Sequence, residues 1–449
     1  MSAVIESGAA PRTQRLPLLG GEDPERCLLW HDGRRVRVRD FLGEVDAVAA
    51  QLPSAANAVN LCVDRYRFLV SFCAVAVAGQ TNLLPSARAP QAVAEVMRAY
   101  PDSYALSDRP LEAPPPRLLS PIFPHLLHDG AFSVPALPEQ QIVAVGFTSG
   151  STGQPKANAK SWGGFCASTA LNARLLCAGA APNIVATVPP QHMYGMELSV
   201  LLPLRSDAAI HSGQPFFPAD IAHALCEVPA PRLLVTTPVH LRALLREGPE
   251  LPELAAIVCA TAPLDAELAR AAERRYGTRL IEVFGSTETC VIAHRAPAHE
   301  AAWRLYPGIE LQPQPNGTLV DAPHFSAPTL LQDIVELLPL QQFILRGRNS
   351  DLLEIAGKRA SLGDLNRRLL AIPGVQDGVM FALPADASGV ARLAALVVAP
   401  QLAESEILCA LRLALDPVFL PRPLKRVAAL PRNAAGKLPR DALLQTLRG

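Results

Sequence analysis

Ile142-Val143-Ala144-Val145-Gly146-Phe147 runs straight into Thr148-Ser149-Gly150-Ser151-Thr152-Gly153-Gln154-Pro155-Lys156. The apolar half reads as a short β-strand, and the second half is the kind of loop in which backbone N–H groups converge on a phosphate chain. Gly150 and Gly153 open conformations closed to other residues, and Thr148, Ser149, Ser151 and Thr152 add hydroxyl donors. The loop is not a Walker A motif, because Gln154 and Pro155 stand between Gly153 and Lys156. Taken alone, the composition also fits a flexible Ser/Gly linker. The strand directly before the loop and Pro155-Lys156 directly after it favour the phosphate reading.

Strand and helix alternate around this stretch. Trp30 to Val36 reads as a hairpin, Val38 to Leu52 as a helix, Ala58 to Cys62 as a strand, Arg65 to Ala78 as a buried helix, Gln80 to Leu84 as a strand and Pro90 to Tyr100 as a helix. Short apolar strands follow at Asn183 to Val188, Leu233 to Thr236, Ala256 to Cys259 and Arg279 to Phe284, each ending in a polar or glycine-containing loop. This alternation predicts an α/β fold with mostly parallel sheets covered by helices and a ligand at the carboxyl ends of the strands. From Leu311 to Pro328 the chain is richer in Pro, Gln and Asn, which predicts a β-rich portion. The polar run Arg346 to Asp351 marks the expected boundary between a large N-terminal domain, 1–348, and a small α+β C-terminal domain, 349–449.

At 449 residues the chain is long enough for at least two domains. Forty-one basic residues balance 41 acidic ones, so no global field recruits nucleic acid or anionic lipid. No apolar stretch approaches the roughly 20 residues of a membrane span. Nine scattered cysteines, without zinc-site spacing, are expected to be reduced and buried as small apolar residues, and with no secretory signal in the first residues a cytoplasmic protein is expected.

Further polar clusters sit at strand ends. In Phe284-Gly285-Ser286-Thr287-Glu288, a glycine, two hydroxyls and a carboxylate suit a phosphate and a hard divalent cation, although Glu288 alone also fits a surface ion pair. Asp333 interrupts an apolar strand-like stretch and needs a partner, for which a ribose diol is suited. Arg348 offers a planar fork to the same sugar or to a phosphate. Lys437, after a turn signal, reads in isolation as a solvated lysine.

In this order the segments resemble the adenylate-forming superfamily of acyl- and aryl-CoA synthetases, peptide-synthetase adenylation domains and firefly luciferase. Thr148 to Lys156 is similar to its phosphate loop, Phe284 to Glu288 to its aromatic-Gly-x-Thr-Glu motif, Asp333 to its ribose-binding aspartate, Gly347-Arg348 to its hinge-flanking arginine, and Pro431 to Arg440 to its Pro-x-x-x-x-Gly-Lys-x-x-Arg ending. The resemblance implies ATP and Mg²⁺ as cofactors and a two-step reaction. A carboxylic acid and ATP give an acyl-adenylate and pyrophosphate; then a thiol, from an acyl carrier protein's phosphopantetheine or from coenzyme A, displaces AMP. It implies Lys437 as the catalytic cation, Thr287 on the α-phosphate, Glu288 on the metal, and Ala260-Thr261-Ala262 with Phe284 to Ser286 on the adenine side. It also implies a mobile C-terminal domain with a hinge at Ser350 and a thiol tunnel at Gly357. Two departures stand at the hinge, where Ser350 replaces the usual aspartate and Glu354 the usual lysine. A third is Ala260-Thr261-Ala262-Pro263-Leu264 in place of Ser-Gly-Ala-Pro-Leu.

Pro189-Pro190-Gln191-His192-Met193-Tyr194-Gly195 is similar to the family's loop ahead of the acyl pocket, which makes His192 the expected gate; a histidine capping the following helix is the other reading. Met193, Tyr194, Gly195, Met196 and Thr237 are the expected pocket residues. Met193 cannot balance a substrate ammonium, which disfavours an amino acid and leaves an aromatic or medium-chain acid. Asp64 to Phe68 and Leu83-Leu84-Pro85 also resemble the compact ligases of bacterial aryl-polyene and xanthomonadin pigment pathways, which implies a hydroxybenzoate-type or related acid loaded onto an acyl carrier protein. That resemblance puts a carrier-protein thiol first as acceptor and coenzyme A second. A non-catalytic nucleotide-binding protein is the third reading.

Overall fold

The structure is a computed structural model that describes residues 14–85, 87–124, 132–149, 155–179, 181–348, 352–355, 358–383, 392–433 and 436–449. The chain divides into two compact units. The first holds residues 1–292, 296–299 and 323–326, and the second 293–295, 300–322 and 327–449.

Beside a two-stranded sheet that pairs Arg15–Pro17 with Ala136–Pro138, the first unit carries two large sheets. One has the strand order Pro155–Ser161, Ile142–Ser149, Thr81–Leu84, Asn57–Asn60, Ser103–Leu106, Leu118–Leu119, parallel except for the first pair. The other runs Leu280–Ser286, Ala256–Cys259, Arg232–Thr236, Asn183–Ala186, Ala209–His211, Cys27–His31, Arg34–Arg37, parallel except for the last pair. This is the α/β architecture that the alternation predicts.

The helix Arg65–Val77 is buried along nearly its whole length, as its unbroken apolar run requires. Asp64 caps it by accepting from the Arg67 N–H at 2.9 Å. Arg65, only 1% exposed, donates to the carbonyls of Ala186 and Val188 at 2.9 Å each and to the Ser199 hydroxyl. These acceptors meet the two terminal nitrogens of the buried guanidinium, while Nε has no hydrogen-bond partner among the described residues, and the same bonds tie the helix to the end of a strand of the second sheet.

The long hairpin is the main difference from the sequence reading. Pro155–Ser161 pairs antiparallel with Ile142–Ser149, from Pro155 opposite Ser149 to Ser161 opposite Ile142. The strand after the Ser/Thr/Gly loop thus pairs back on the strand before it, a pairing the sequence reading does not anticipate, and residues 150–154 lie outside the described residues. The returning strand alternates Lys156, Asn158 and Lys160 with Ala157 and Ala159, a period of two without the apolar bulk that marks most strands.

In the second unit, Asp333–Leu338, Gln342–Arg348 and Trp303–Leu305 form one antiparallel ladder, and Glu310–Gln314, Gly317–Asp321 and Thr329–Leu331 another. The latter is the β-rich portion expected after Leu311. Strands Asp377–Ala382, Leu393–Val398 and Leu424–Arg426 then pack with helices Leu362–Leu370, Glu404–Ala414 and Arg440–Arg448 around Leu365, Leu369, Leu396, Ile407, Leu411 and Leu443. All nine cysteines are free, as expected, but only Cys62, Cys73, Cys259 and Cys290 are buried; Cys226 and Cys409 lie on outer helix faces and are exposed, which corrects that part of the expectation. Among the described residues no helix is long and apolar enough to cross a membrane.

Candidate active site

Within the first unit, three of the singled-out segments meet at Gly146. A Cβ built on Gly146 would stand 2.9 Å from the Thr287 methyl and 3.4 Å from the Met193 methyl. The strand entering the phosphate loop, the Gly-Ser-Thr-Glu turn and the loop ahead of the expected acyl pocket thus touch at a point where only glycine leaves room. Thr148, half-buried, follows two residues later on the same face of the strand. Ser149 is placed as backbone, and Gly150, Ser151, Thr152 and Gly153 lie outside the described residues. Lys156 is exposed on the returning strand, opposite Thr148.

The turn that carries Thr287 and Glu288 is held from several sides. Ser286 and Thr289 bond each other through hydroxyls and backbone at 3.1 to 3.2 Å. The Lys160 ammonium donates to the Glu288 carbonyl at 2.6 Å, and His324 Nε2 donates to the Thr289 carbonyl at 2.8 Å. Gly285 passes so close to the Cys290 carbonyl that a Cβ would stand 2.0 Å from it. Thr287 and Glu288 are half-buried, as is Phe284.

Glu197 joins this turn to the pocket loop. It lies in a π-helical turn, Glu197–Leu201, that continues the short helix Met193–Met196. Its carboxylate accepts from the Ser168 hydroxyl at 2.6 Å, the Asn172 amide at 3.3 Å and the Val291 N–H at 2.9 and 3.2 Å. Burial raises its pKa, and these donors together with the nearby Lys160 charge oppose the rise. Beside it, burial pushes the Cys290 thiol up to about 12, so at neutral pH Cys290 is an apolar packing group against the Met193 sulfur, 3.9 Å away.

His192 stands at the N-cap of Met193–Met196 with extended backbone, but its side chain makes no capping hydrogen bond, so the capping reading does not account for it. Gly195 has a backbone reason: a Cβ there would lie 2.0 Å from the Pro189 carbonyl. The Tyr194 hydroxyl donates toward the Thr236 and Val258 carbonyls at 3.2 and 3.0 Å, leaving its ring as the face that can meet a ligand. Met196 and Thr237 are buried. Ala260 is buried and Ala262 half-buried, and between them Thr261 holds φ at +82°. A β-branched residue in that region is strained, and the glycine of the pattern this segment departs from would not be.

In the second unit, Asp333 is 5% exposed and stands directly opposite Arg348 in the antiparallel register. The two expected ribose residues are therefore cross-strand neighbours, with Arg348 placed as backbone. The Asp333 carbonyl is fixed by the Thr318 hydroxyl at 2.6 Å. Lys437 is exposed on a tight turn in which the Asn433 side chain accepts from its N–H at 2.9 Å and the Asn433 N–H donates to its carbonyl at 2.8 Å. Arg432 Nη2 donates to both carboxylate oxygens of Asp377 at 2.9 Å while Nη1 donates to the Gly436 carbonyl at 3.0 Å, which pins this segment to a strand, and Gly436 holds φ at +74°. Ser350 and Gly357 lie outside the described residues, and Glu354 is placed as backbone.

The sequence reading missed Gly146, Lys160 and Glu197. Lys160 carries a signal, the period of two after Pro155; Glu197 carries none, because its partners are 25 to 94 positions away.

A profile of the AMP-binding enzyme family matches residues 30–319. The chain belongs to that family. It is an AMP-forming, acid-activating ligase, for which the resemblance of its motifs implies ATP and Mg²⁺ as cofactors. Over 313 residues it is 31% identical to a 4-coumarate–CoA ligase of Rhodobacter capsulatus, covering 68% of this chain and 77% of the relative. Over 360 residues it is 25% identical to a sulfoacetate–CoA ligase of Cupriavidus necator, covering 71% and 69%. Its fold is similar to that of o-succinylbenzoate CoA synthetase from Bacillus subtilis with its acyl-adenylate, at a TM-score of 0.81 and 17% identity over 96% of this chain and 98% of the other.

The residues fit these cofactors. Among the described residues no group of three or more His, Cys, Asp or Glu forms a metal cage. Mg²⁺ bound beside a nucleotide asks for only one or two carboxylates, the phosphates and water supplying the rest, and Glu288 on its braced turn meets that demand.

Proposed function

We propose that this AMP-binding enzyme is a coenzyme A ligase for an aromatic carboxylic acid. The observation that carries the reading is the meeting at Gly146 of Thr287, expected on the α-phosphate, and Met193, expected in the acyl pocket, which supports one site built from both segments. The relatives named above act on coenzyme A, and one of them on an aryl acid, which favours coenzyme A over the carrier-protein thiol as acceptor. The segments that resemble pigment-pathway ligases have structural explanations of their own: Asp64 caps a helix, Arg65 anchors it, and Tyr66 and Phe68 are core residues.

In this reading the acid's carboxylate attacks the α-phosphorus of ATP, an oxygen–phosphorus bond forms, and pyrophosphate leaves. The loop Thr148 to Gly153 and Lys156 grip the departing phosphates, and Thr287 donates its hydroxyl to the α-phosphate. Mg²⁺ held at Glu288 would offset the repulsion between two anions. Asp333 and Arg348 take the ribose, Ala260 to Ala262 and Phe284 to Ser286 the adenine side, and Lys437 stabilises the charge that builds at the transferred phosphate. His192 gates entry of the carboxylate, while Met193, the Tyr194 ring, Gly195, Met196 and Thr237 line the acyl end. The domain from residue 349 onward then turns at Ser350 to bring Gly357 to the pantetheine path, and the thiol displaces AMP. Nine free thiols suit the reducing cytoplasm for such a reaction.

Mass spectrometry of products from aryl and aliphatic acids, each incubated with ATP and either coenzyme A or a phosphopantetheinylated carrier protein, tests the proposal. Aryl-CoA is the expected product. Loading of the carrier alone would overturn the choice of acceptor.

A further inference from the structure

His240 is 7% exposed, in the first turn of the helix Pro238–Glu247 that follows the strand Arg232–Thr236. Its Nδ1 lies 2.9 Å from the Thr237 hydroxyl and 3.4 Å from the Thr187 hydroxyl, which is itself 3.1 Å from the Thr236 hydroxyl. These threonines stand at the carboxyl ends of neighbouring strands, where ligands of parallel sheets bind. They fix the ring through one nitrogen only. The other ring nitrogen, Nε2, is buried and has no hydrogen-bond partner among the described residues. Leaving a polar atom so costs on the order of 1–3 kcal/mol, which packing alone does not explain, since leucine would fill the same place without the penalty. The Phe216 ring meets His240 edge to face at 5.3 Å and is itself 57% exposed, so an aromatic wall leads from solvent to the imidazole. Thr236 also accepts, through its carbonyl, from the hydroxyl of Tyr194, the neighbour of Met193.

We infer that His240 is a specificity-determining residue whose Nε2 hydrogen-bonds a hydroxyl or carbonyl substituent on the acyl part of the acid. This rests on the proposed aryl-acid reading and narrows it to acids that carry such a substituent. Burial lowers the imidazole pKa, so the ring is neutral at neutral pH and suits an uncharged polar group rather than a second carboxylate. Thr237 acts as a positioning residue: the direction of its bond to Nδ1 decides whether Nε2 donates or accepts.

ATP–pyrophosphate exchange with matched pairs of acids tests this: 4-hydroxycinnamate against cinnamate, 4-hydroxybenzoate against benzoate, and 6-hydroxyhexanoate against hexanoate. The wild type should favour the hydroxylated member of one aryl pair by at least about tenfold in kcat/KM, because a site built to bond a hydroxyl rejects the analogue that lacks it. In His240→Leu that preference should fall to within about threefold, through loss of the hydroxylated acid and not of its partner. His240→Gln, which retains a hydrogen-bonding end, should keep part of it. Equal loss on both members of a pair in His240→Leu, or a wild type that does not distinguish them, overturns the role of His240. Exchange confined to the aliphatic pair overturns the aryl reading while the same comparison within that pair still decides His240. No exchange with any acid overturns both.

Discussion

Gly146→Ala isolates the geometry on which the site depends. The new Cβ would lie 2.9 Å from Thr287 Cγ2 and 3.4 Å from Met193 Cε. Carbon atoms settle at about 3.5–4.0 Å. The methionine end is flexible and swings aside, but Thr287 Cγ2 sits one bond from Cβ, so the whole side chain must retreat by roughly 0.6 Å to regain contact distance. A misplacement of about 1 Å costs on the order of a hundredfold in rate, so Gly146→Ala should lower kcat/KM for ATP–pyrophosphate exchange by roughly ten- to fiftyfold. The overpacking should cost about 1–3 kcal/mol of stability, which leaves the protein folded. Thr287→Ser removes the clashing methyl and keeps the hydroxyl. The double variant Gly146→Ala/Thr287→Ser should therefore return to within about threefold of Thr287→Ser alone, a coupling that independent sites do not show. If the double variant is as impaired relative to Thr287→Ser as Gly146→Ala is relative to the wild type, Thr287 is not where the damage arises and the reasoning fails.

Other variants probe the remaining parts. Thr261→Gly relieves a β-branched residue at φ +82° and should stabilise the protein by about 1 kcal/mol, seen as a rise of roughly 2 °C in Tm; a fall would show that the Thr261 side chain contributes more than its strain costs. Lys160→Met removes the ammonium that donates to the Glu288 carbonyl and should cut exchange activity at least about tenfold, with circular dichroism unchanged; wild-type activity would remove Lys160 from the supporting set. Burial holds the pKa of His324 below the ordinary histidine value of about 6.5. Its stabilising contribution is therefore complete above that value and is lost as pH falls through the depressed folded value. His324→Gln can still donate to the Thr289 carbonyl and does not titrate, so its Tm should drop less than the wild type's between neutral pH and about pH 5; parallel drops would contradict the shift. Lys437→Ala should abolish adenylation yet leave thioester formation from supplied acyl-adenylate largely intact, and equal loss of both half-reactions would contradict a C-terminal domain that serves them in turn.

Much of the fold is written locally. Most strands and helices before residue 110 and most parallel strands up to Leu280–Ser286 follow apolar runs of the right length, whereas Arg15–Pro17, Ser103–Leu106 and Ala209–His211 are too short to stand out in the sequence. What escaped is what depends on distant partners. Pro155–Ser161 is a strand because Ile142–Ser149 offers it an edge, and its small and basic residues give no apolar signal. Glu197 looks like an ordinary helix-surface glutamate until Ser168, Asn172 and the Val291 N–H close around it. Thr261 shows the opposite case: its departure from a glycine pattern is visible in the sequence, and the structure gives it a positive φ, which glycine adopts without strain.

The claim that this chain joins a carboxylic acid to a nucleotide through an acyl-adenylate has a direct isotopic test. A preferred acid labelled with oxygen-18 in its carboxylate is turned over with ATP and coenzyme A, and the nucleotide product is analysed by mass spectrometry. Attack of the carboxylate on the α-phosphorus, followed by thiol displacement at the acyl carbon, leaves one labelled oxygen in AMP for each thioester formed, and that is the expected result. Release of ADP with the label in inorganic phosphate would mean attack at the γ-phosphorus and would contradict the assignment.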